Sequence, residues 1–500
     1  MNSASGSFKG LAFDIGASHG RAILGVLHDD ILDLQVLHSF VNEPIQRNGE
    51  IRWDFESLCG ELVKGLRACA SAAHSDLESI AVDTWGIDFG LVDDRGELLD
   101  SPRHYRDPYS LGALEEICKF IPEYDLFKIT GMQNTPFNSV FQLHALAKKQ
   151  PGMIMKAKKL LFIPDLFNYF LTGEIATEFS IAGTSQLLEI ADRKPSSEIF
   201  STLGLSVELM PTILQSGRSI GSLRKKITDV ADIGNIPIIA VAEHDTQSAI
   251  AVIPSETENH AYISCGTWSI MGIEMKTPIV TEEAMSCGFS NEIGLPDLIC
   301  FSKLIPGLWI IQACMADWSR SSPGIDYGSI DSLISLAKPF ASFLDSESAY
   351  FHAPGGMSDR IKDYCDKTSQ PIPQSVGEIA RCVLESLAMT YRKTLDDLER
   401  NSGREVPIVH IVGGGAKNKT LCQMAANAMH RTIIAGPIEA TSIGNLLQQA
   451  IACGKLANLH DARKVVRRSF KMDSYEPVNG REWDSAYARY QEVAAKGLVK

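Results

Sequence analysis

Apolar positions recur along the chain with two distinct spacings. Residues 11–27, LAFDIGASHGRAILGVL, place two apolar runs, Leu11-Ala12-Phe13 and Ala22-Ile23-Leu24-Gly25-Val26-Leu27, on either side of a polar tip. This predicts a hairpin of two buried strands. Residues 78–91, ESIAVDTWGIDFGL, predict two more strands around a Trp-Gly turn, and IPIIAVA (236–242) predicts a short buried strand. Elsewhere the spacing is helical. Leu58, Leu62, Leu66 and Ala70 form a stripe within 55–70, and Ile379, Val383, Leu387, Tyr391 and Leu395 fall every fourth residue across 378–399. Each stripe predicts a helix with one buried face. VPIVHIV (406–412) predicts a strand that runs into Gly413-Gly414-Gly415, with a helix from Lys417.

A second hairpin is predicted at 261–275, AYISCGTWSIMGIEM, with Ser264, Gly266, Thr267 and Ser269 at its small-residue tip. It repeats the form of 11–27 with different letters. The alternation of strands and helices predicts an α/β fold, and two halves that each open on a glycine-bearing hairpin suggest two related domains. The apolar spacing breaks at AVIPSETENH, 251–260. The expected division is therefore an N-terminal domain over 8–253, a C-terminal domain over 254–460, and a tail over 461–500 packed on one of them.

The 500 residues, 45% hydrophobic and 22% charged, suffice for two full cores. A net charge of −14 without a long basic block argues against nucleic acid as a partner. It leaves nucleotides open, because backbone N–H groups and a bound cation hold phosphates whatever the overall charge. None of the 11 cysteines forms a C-x-x-C pair, so reduced core thiols are expected rather than structural zinc. MNSASGSFKG at the N-terminus has no basic or apolar leader region, and no apolar run reaches membrane-spanning length. A cytoplasmic protein is the expectation.

The polar tip of the first hairpin suggests chemistry. Glycines at 16 and 20 let the chain turn sharply and let backbone N–H groups approach an anion; Ser18 adds a hydroxyl donor and Arg21 a cation. Asp14 alone would repel a phosphate, so an acid there implies a metal between them, and Mg²⁺ commonly takes one or two carboxylates plus substrate phosphates. A tight turn capped by Asp14 accounts for the same letters. GGGAKNKT (413–420) is not a P-loop, because Asn418 stands where that motif requires glycine. AEHDTQSA (242–249) puts His244-Asp245-Thr246 at the end of a predicted strand, either as site chemistry or as the cap of a helix.

Taken in order, DIGASHGR (14–21), RWDF (52–55), DTWGIDFGLVD (83–93), YRDP (105–108), PFNSVFQLHAL (136–146), IPDLFNYFLTG (163–173), TSQLL (184–188), EHDTQSA (243–249), YISCGTWSIMGIE (262–274), GLWIIQ (307–312), HIVGGGAKN (410–418) and AGPIEATSIGN (435–445) resemble the carbohydrate kinases of the FGGY family, within the sugar kinase, Hsp70 and actin superfamily. The likeness covers about 8–455. It implies two RNase H-like domains flanking a deep catalytic cleft, with sugar held mainly by the first and ATP mainly by the second. It also implies transfer of the γ-phosphoryl group of MgATP to a ketose, L-rhamnulose at its C1 hydroxyl, with L-fuculose or another ketose as the alternative. A non-enzymatic actin-like switch is the competing class. Asp245 matches the general base, with Trp85, Gly86, His244 and Thr246 at the sugar. Ala17, Ser18, His19, Gly20 and Arg21 match the first phosphate loop, and Asp14 a Mg²⁺ residue acting through water. Gly266 and Thr267 match the second phosphate loop, and Gln312, Gly414, Gly415 and Asn418 the nucleotide contacts. Small-molecule sugar and MgATP are the implied partners, with a monomer or homodimer as the assembly. The chain departs from the usual pattern at His19, Tyr109, Ile293 and Leu304, where serine, arginine, glycine and asparagine are usual.

Overall fold

A computed structural model of the chain describes residues 7–72, 76–321, 325–353 and 355–496. The first predicted hairpin forms as Phe8–Ile15 and His19–His28, antiparallel, with Asp14 opposite Arg21. Its tip is closed by Gly16 N–H on the carbonyl of His19 at 2.9 Å. Chain contacts divide the molecule into two compact units. One takes the chain up to Pro254 together with Glu274–Phe301 and Ala440–Phe470; the other takes Ser255–Ile273, Ser302–Glu439 and the chain from Lys471. The expected segments 254–460 and 461–500 are thus each shared between both units.

The first unit is built on a six-stranded sheet in the order Ser219–Ser222, Pro237–Ile239, Ser79–Thr84, Phe8–Ile15, His19–His28, Ile31–Val41. Phe8–Ile15 runs parallel to Ser79–Thr84, with Asp14 beside Asp83, and Ser79–Thr84 runs parallel to Pro237–Ile239. The helix Phe55–Ser71 starts on an Asp54 cap and buries Leu58, Leu62 and Leu66 against Phe13, as the four-residue spacing predicts. Ala70 is only half-buried, and Cys69 beside it is fully buried.

In this region the two strands of 78–91 form as predicted, and the 236–242 strand needs correction. The strands of 78–91 form as Ser79–Thr84 and Phe89–Val92 but do not pair with each other. The second pairs instead with Lys159–Phe162 in a separate ribbon. The turn between them is wrenched by Ile87, whose φ of 68° is left-handed for a β-branched residue. That conformation costs roughly 1–2 kcal/mol and is held by Thr184 Oγ1, which accepts from Ile87 N–H at 3.0 Å, and by Ser139 Oγ, which donates to its carbonyl at 2.5 Å. The 236–242 strand is shorter than its apolar run. Only Pro237–Ile239 joins the ladder, because Ala240 N–H turns to the Arg218 carbonyl and Ala242 N–H to Gln448 Oε1, both at 2.8 Å.

The second unit repeats this wiring. His260–Cys265 pairs antiparallel with Trp268–Met275 and parallel with Ile408–Val412; Ile408–Val412 runs parallel to Thr432–Ala435, and Asp473–Tyr475 closes that edge antiparallel. The helix Val376–Ser402 begins on a Ser375–Glu378 capping box, ends at Gly403, and buries Ile379, Val383, Leu387, Tyr391 and Leu395. After Ile408–Val412 the glycine run forms a 3₁₀ turn, Gly414–Lys417, and the helix starts two residues later than the spacing predicts, at Lys419. Eight of the eleven cysteines are buried free thiols. No described helix is long and apolar enough to cross a membrane.

Candidate active site

In the first unit, the parallel strands deliver acidic side chains at their C-terminal ends, where open α/β sheets hold ligands. Asp14 is near the end of Phe8–Ile15 and 8% exposed; it receives Arg21 Nη2 at 2.9 Å and the Ser442 hydroxyl at 2.5 Å. Asp83, its neighbour in register, is fully buried and accepts from Asn445 Nδ2 at 2.6 Å on one oxygen. Its other oxygen has no hydrogen-bond partner. Burial, then the charge of Asp14, push the Asp83 carboxyl well above the usual aspartate range.

Thr84 bridges to His244, and the helix Asp245–Ala251 begins one residue on. The side chain of Asp245 keeps 28% exposure. One of its oxygens accepts from Thr246 N–H at 2.6 Å and from the Thr246 hydroxyl at 3.3 Å. Burial raises its pKa, the His244 charge opposes that, and the Asp14 charge adds to it; the net direction is upward. His244 lies 3.6 Å from Asp245 and 3.3 Å from Glu292. Burial works against an imidazolium there, but the two carboxylates outweigh it and hold the His244 pKa above the ordinary value. Glu292 is in turn fixed by Gln247 Nε2 at 2.9 Å.

Trp85 is 7% exposed and lies tilted against Trp53, 4.2 Å between ring centroids. Both indoles donate to Asp88 Oδ2, at 3.1 and 2.7 Å, while Gln142 Nε2 donates to Oδ1 at 3.1 Å. Gly86 abuts Thr184, whose side chain would lie 2.9 Å from an added Cβ. At the hairpin tip Ala17 is half-buried, and Ser18 and His19 are exposed. Gly20 serves packing: the Phe40 ring lies 2.2 Å from where its Cβ would be.

In the second unit the hairpin tip caps a helix. The carbonyl of Gly266 accepts from Leu308 N–H at 2.9 Å, and that of Thr267 from Gly307 and Trp309 N–H, both at 3.1 Å. The Thr267 hydroxyl donates to Gln312 Oε1 at 3.0 Å. Gly415 is buried against Cys265, whose sulfur would lie 2.1 Å from an added Cβ, whereas Gly414 faces open space. Asn418 caps the following helix through Leu421 N–H at 2.9 Å.

The sequence reading brought Asp14, Arg21, His244 and Asp245 to one region. It missed Glu292, which lies 48 residues from His244 in sequence, and Ser442 and Asn445, whose motif was quoted without a role. Their only signal was a polar residue in an otherwise small and apolar stretch. Of the departures from pattern, the Tyr109 hydroxyl donates to Gln142 at 2.9 Å under the Arg103 guanidinium, and Leu304 is 44% exposed.

Both units thus carry a glycine-tipped hairpin on a sheet of the same wiring, with acids at the strand ends of the first. The models of the N-terminal and C-terminal domains of the FGGY family of carbohydrate kinases match residues 10–251 and 261–453. The chain belongs to that family, and so is an ATP-using enzyme that phosphorylates an alcohol group of a carbohydrate. It is 37% identical over 480 residues to the rhamnulokinase of Bacteroides thetaiotaomicron, covering 96% of this chain and 98% of that one. To the rhamnulokinase of Bacillus subtilis it is 33% identical over 492 residues, covering 98% and 99%. Among solved structures, it superposes on gluconate kinase from Lactobacillus acidophilus with a TM-score of 0.82 at 15% identity, covering 98% of each chain. Plasmodium falciparum glycerol kinase with ADP gives a TM-score of 0.81 at 16% identity, again covering 98% of each. At such identities the structural matches speak for the fold alone.

Proposed function

We propose that the protein transfers the γ-phosphoryl group of MgATP to the C1 hydroxyl of L-rhamnulose, giving L-rhamnulose 1-phosphate and ADP. The observation that carries the reading is Asp245: a carboxylate with raised proton affinity, partly open, at the strand-end edge of the sheet, fixed on one oxygen by Thr246 and flanked by His244, whose proton affinity is raised in turn. Its other oxygen takes the proton as the C1 oxygen attacks the γ-phosphorus and the bond to the ADP oxygen breaks. A base of this kind contributes about 10²–10⁴ in rate. Gly86, Trp85, His244 and Thr246 hold the ketose. The Trp85 indole is too deeply tied to Asp88 to swing, so it offers a fixed wall.

Ala17 to Arg21 line the phosphates on the first unit. Gly20 acts there through the backbone conformation that its packing under Phe40 allows. Gly266, Thr267, Gln312, Gly414, Gly415 and Asn418 form the nucleotide-binding set of the second unit. Gly415 acts by seating the turn on Cys265, and Gly414 by leaving its outer face clear. The residues around Asp14 fit a magnesium ion. Asp83 carries an unpartnered buried oxygen, and burial, then the charges of Asp14 and Asp245, push its carboxyl above the usual aspartate range. Among the described residues no three acidic, histidine or cysteine side chains gather as a self-sufficient metal cage, which suits an ion held by one carboxylate, water and phosphates. When bound, magnesium would neutralise charge on the phosphates; Asp14 would orient it, itself steadied by Arg21 and Ser442.

Coupled ADP release over L-rhamnulose, L-fuculose, L-ribulose, D-xylulose and glycerol tests the reading. L-Rhamnulose is expected to give the highest kcat/KM, and Asp245→Asn to lower kcat by about 10²–10⁴ with ATP affinity kept. A higher kcat/KM on another sugar overturns the substrate, ADP release indifferent to every sugar overturns the kinase step, and near-normal turnover of the variant overturns the base.

A further inference from the structure

Behind the segment that carries Asp245 lie three acids with no part in the chemistry above. Asp165, Glu178 and Glu243 are each 1% exposed. Glu178 is well supplied with donors: Ser180 N–H at 2.8 Å, the Ser180 hydroxyl at 2.5 Å and Glu243 N–H at 3.2 Å on Oε2, and the Ser216 hydroxyl at 2.7 Å on Oε1. The other two are each supplied on one side only. Asp165 Oδ2 accepts from Phe162 N–H at 2.9 Å, and Glu243 Oε1 from Asn168 Nδ2 at 2.9 Å. Asp165 Oδ1 and Glu243 Oε2 are buried without a donor. The two carboxyl groups act on one another as hydrogen-bond neighbours, and the Thr177 hydroxyl beside Asp165 is itself buried without a hydrogen-bond partner. Among the described residues no lysine or arginine pairs with any of the three acids.

Two carboxylates in contact in a dry interior repel strongly, and each bare oxygen adds the cost of lost solvation. One proton between them removes both penalties, because the protonated acid donates to the bare oxygen of its partner. We propose that Asp165 and Glu243 share a single proton, as a carboxylic acid–carboxylate pair, and that this pair is a positioning device for the catalytic segment 243–246. Both groups are held well above the ordinary carboxylate range, first by burial and, for Glu243, then by the charges of Asp165 and Glu178. The positioning follows from the backbone around Glu243. Its carbonyl accepts from Thr84 N–H at 2.8 Å, its N–H donates to Glu178, and His244 N–H donates to the Ser180 hydroxyl at 3.2 Å. The side chain of Glu243 is therefore the third tether of the residue two places before the base. The catalytic consequence rests on the reading of Asp245 given above; the shared proton does not.

An amide can replace the proton, and that supplies the test. In Glu243→Gln, Oε1 still accepts from Asn168 while Nε2–H donates to Asp165. In Asp165→Asn, the amide oxygen accepts from Phe162 N–H while Nδ2–H donates to Glu243. Each single variant is expected to keep the melting temperature and to hold kcat within about threefold. The double variant places two NH₂ groups face to face. It is expected to melt lower than the singles together imply and to lose kcat at least about tenfold beyond their product, with the KM for MgATP unchanged. Two ionised carboxylates would give the opposite: each single variant more stable than the wild type and the double more stable again, which overturns the proposal. If the double variant does not fold, infrared difference spectra decide. The wild type minus Glu243→Gln is expected to show a protonated-carboxyl C=O band at neutral pH, and its absence overturns the shared proton. Glu243→Ala is expected to lower kcat with Glu243→Gln restoring it; equal kcat in the two variants overturns the positioning role. The melting and infrared readouts stand whichever sugar the enzyme uses.

Discussion

His104 is a neutral histidine between aromatic rings, stacked on Tyr105 and tilted against Trp53, with 4.4 Å between centroids in each case. Its Nδ1 accepts from Arg106 N–H at 2.9 Å, a bond that protonation would break. Burial, with the Arg106 charge, brings its pKa down from 6.5 to about 4. The unfolded chain takes up this proton near pH 6.5 and the native chain only near pH 4, so the stability it supports is whole above 6.5 and is lost as pH falls through that window. Asp88, hydrogen-bonded to the Trp53 ring that His104 abuts, has the opposite sign. All its partners are donors, yet burial lifts its pKa to about 7, so the native state gains on the unfolded one as pH falls below 7. The two slopes offset in the wild type. His104→Asn, which keeps an acceptor for Arg106 N–H, removes one of them. Between pH 7 and 5 the variant is expected to lose less stability than the wild type by about 1–2 kcal/mol, or ~1–3 °C in melting temperature for a chain of this length. Calorimetry at the two pH values checks it, and parallel pH dependence in both proteins removes His104 from the account.

At the scale of elements, the site depends on how closely two helices approach. A Cβ on Gly444, in the helix Ala440–Ala452, would lie 1.8 Å from the Ser248 carbonyl of the helix Asp245–Ala251. A backbone oxygen cannot rotate aside as a side chain can. Gly444→Ala is expected to cost about 1–3 kcal/mol or more in urea unfolding and to lower kcat, since the displaced helix begins at Asp245; unchanged stability and turnover would show that the contact gives freely. The closeness serves the polar groups on the same helix, which reach across to Asp14 through Ser442 and to Asp83 through Asn445. None of this shows in a reading by spacing. Hairpins and long helices were legible because apolar period alone dictates them, as in 11–27 and 378–399. The partner of the second strand of 78–91 does not show in its letters, because the left-handed turn at Ile87 depends on hydrogen bonds with Ser139 and Thr184, far along the chain. Glu292 was invisible for the same reason: its meaning lies in a distance to His244, not in its neighbours in sequence. The resemblance placed Asp14 and Asp245, and the geometry added which oxygens are fixed and which are bare.

The molecule as a whole is threaded discontinuously. The first unit is left at Pro254 and completed by Glu274–Phe301 and Ala440–Phe470. The last of these supplies Leu446, which is packed on Ala12 and Ile23, and Gln449, which accepts from the buried Ser79 hydroxyl at 2.8 Å. A fragment ending at Pro254 would therefore bare one face of its central sheet and leave Asp83 without Asn445. It is expected to show no cooperative melting transition, and circular dichroism of the fragment decides; a sharp transition would mean the sheet is self-sufficient. The same threading bears on birth at the ribosome. With elongation at about 5–20 residues per second, the stretch that completes the first unit emerges roughly 10–40 s after Pro254. For that interval an apolar sheet face waits, nearly finished, for its cover, and a nascent chain in that condition is a natural client for a chaperone.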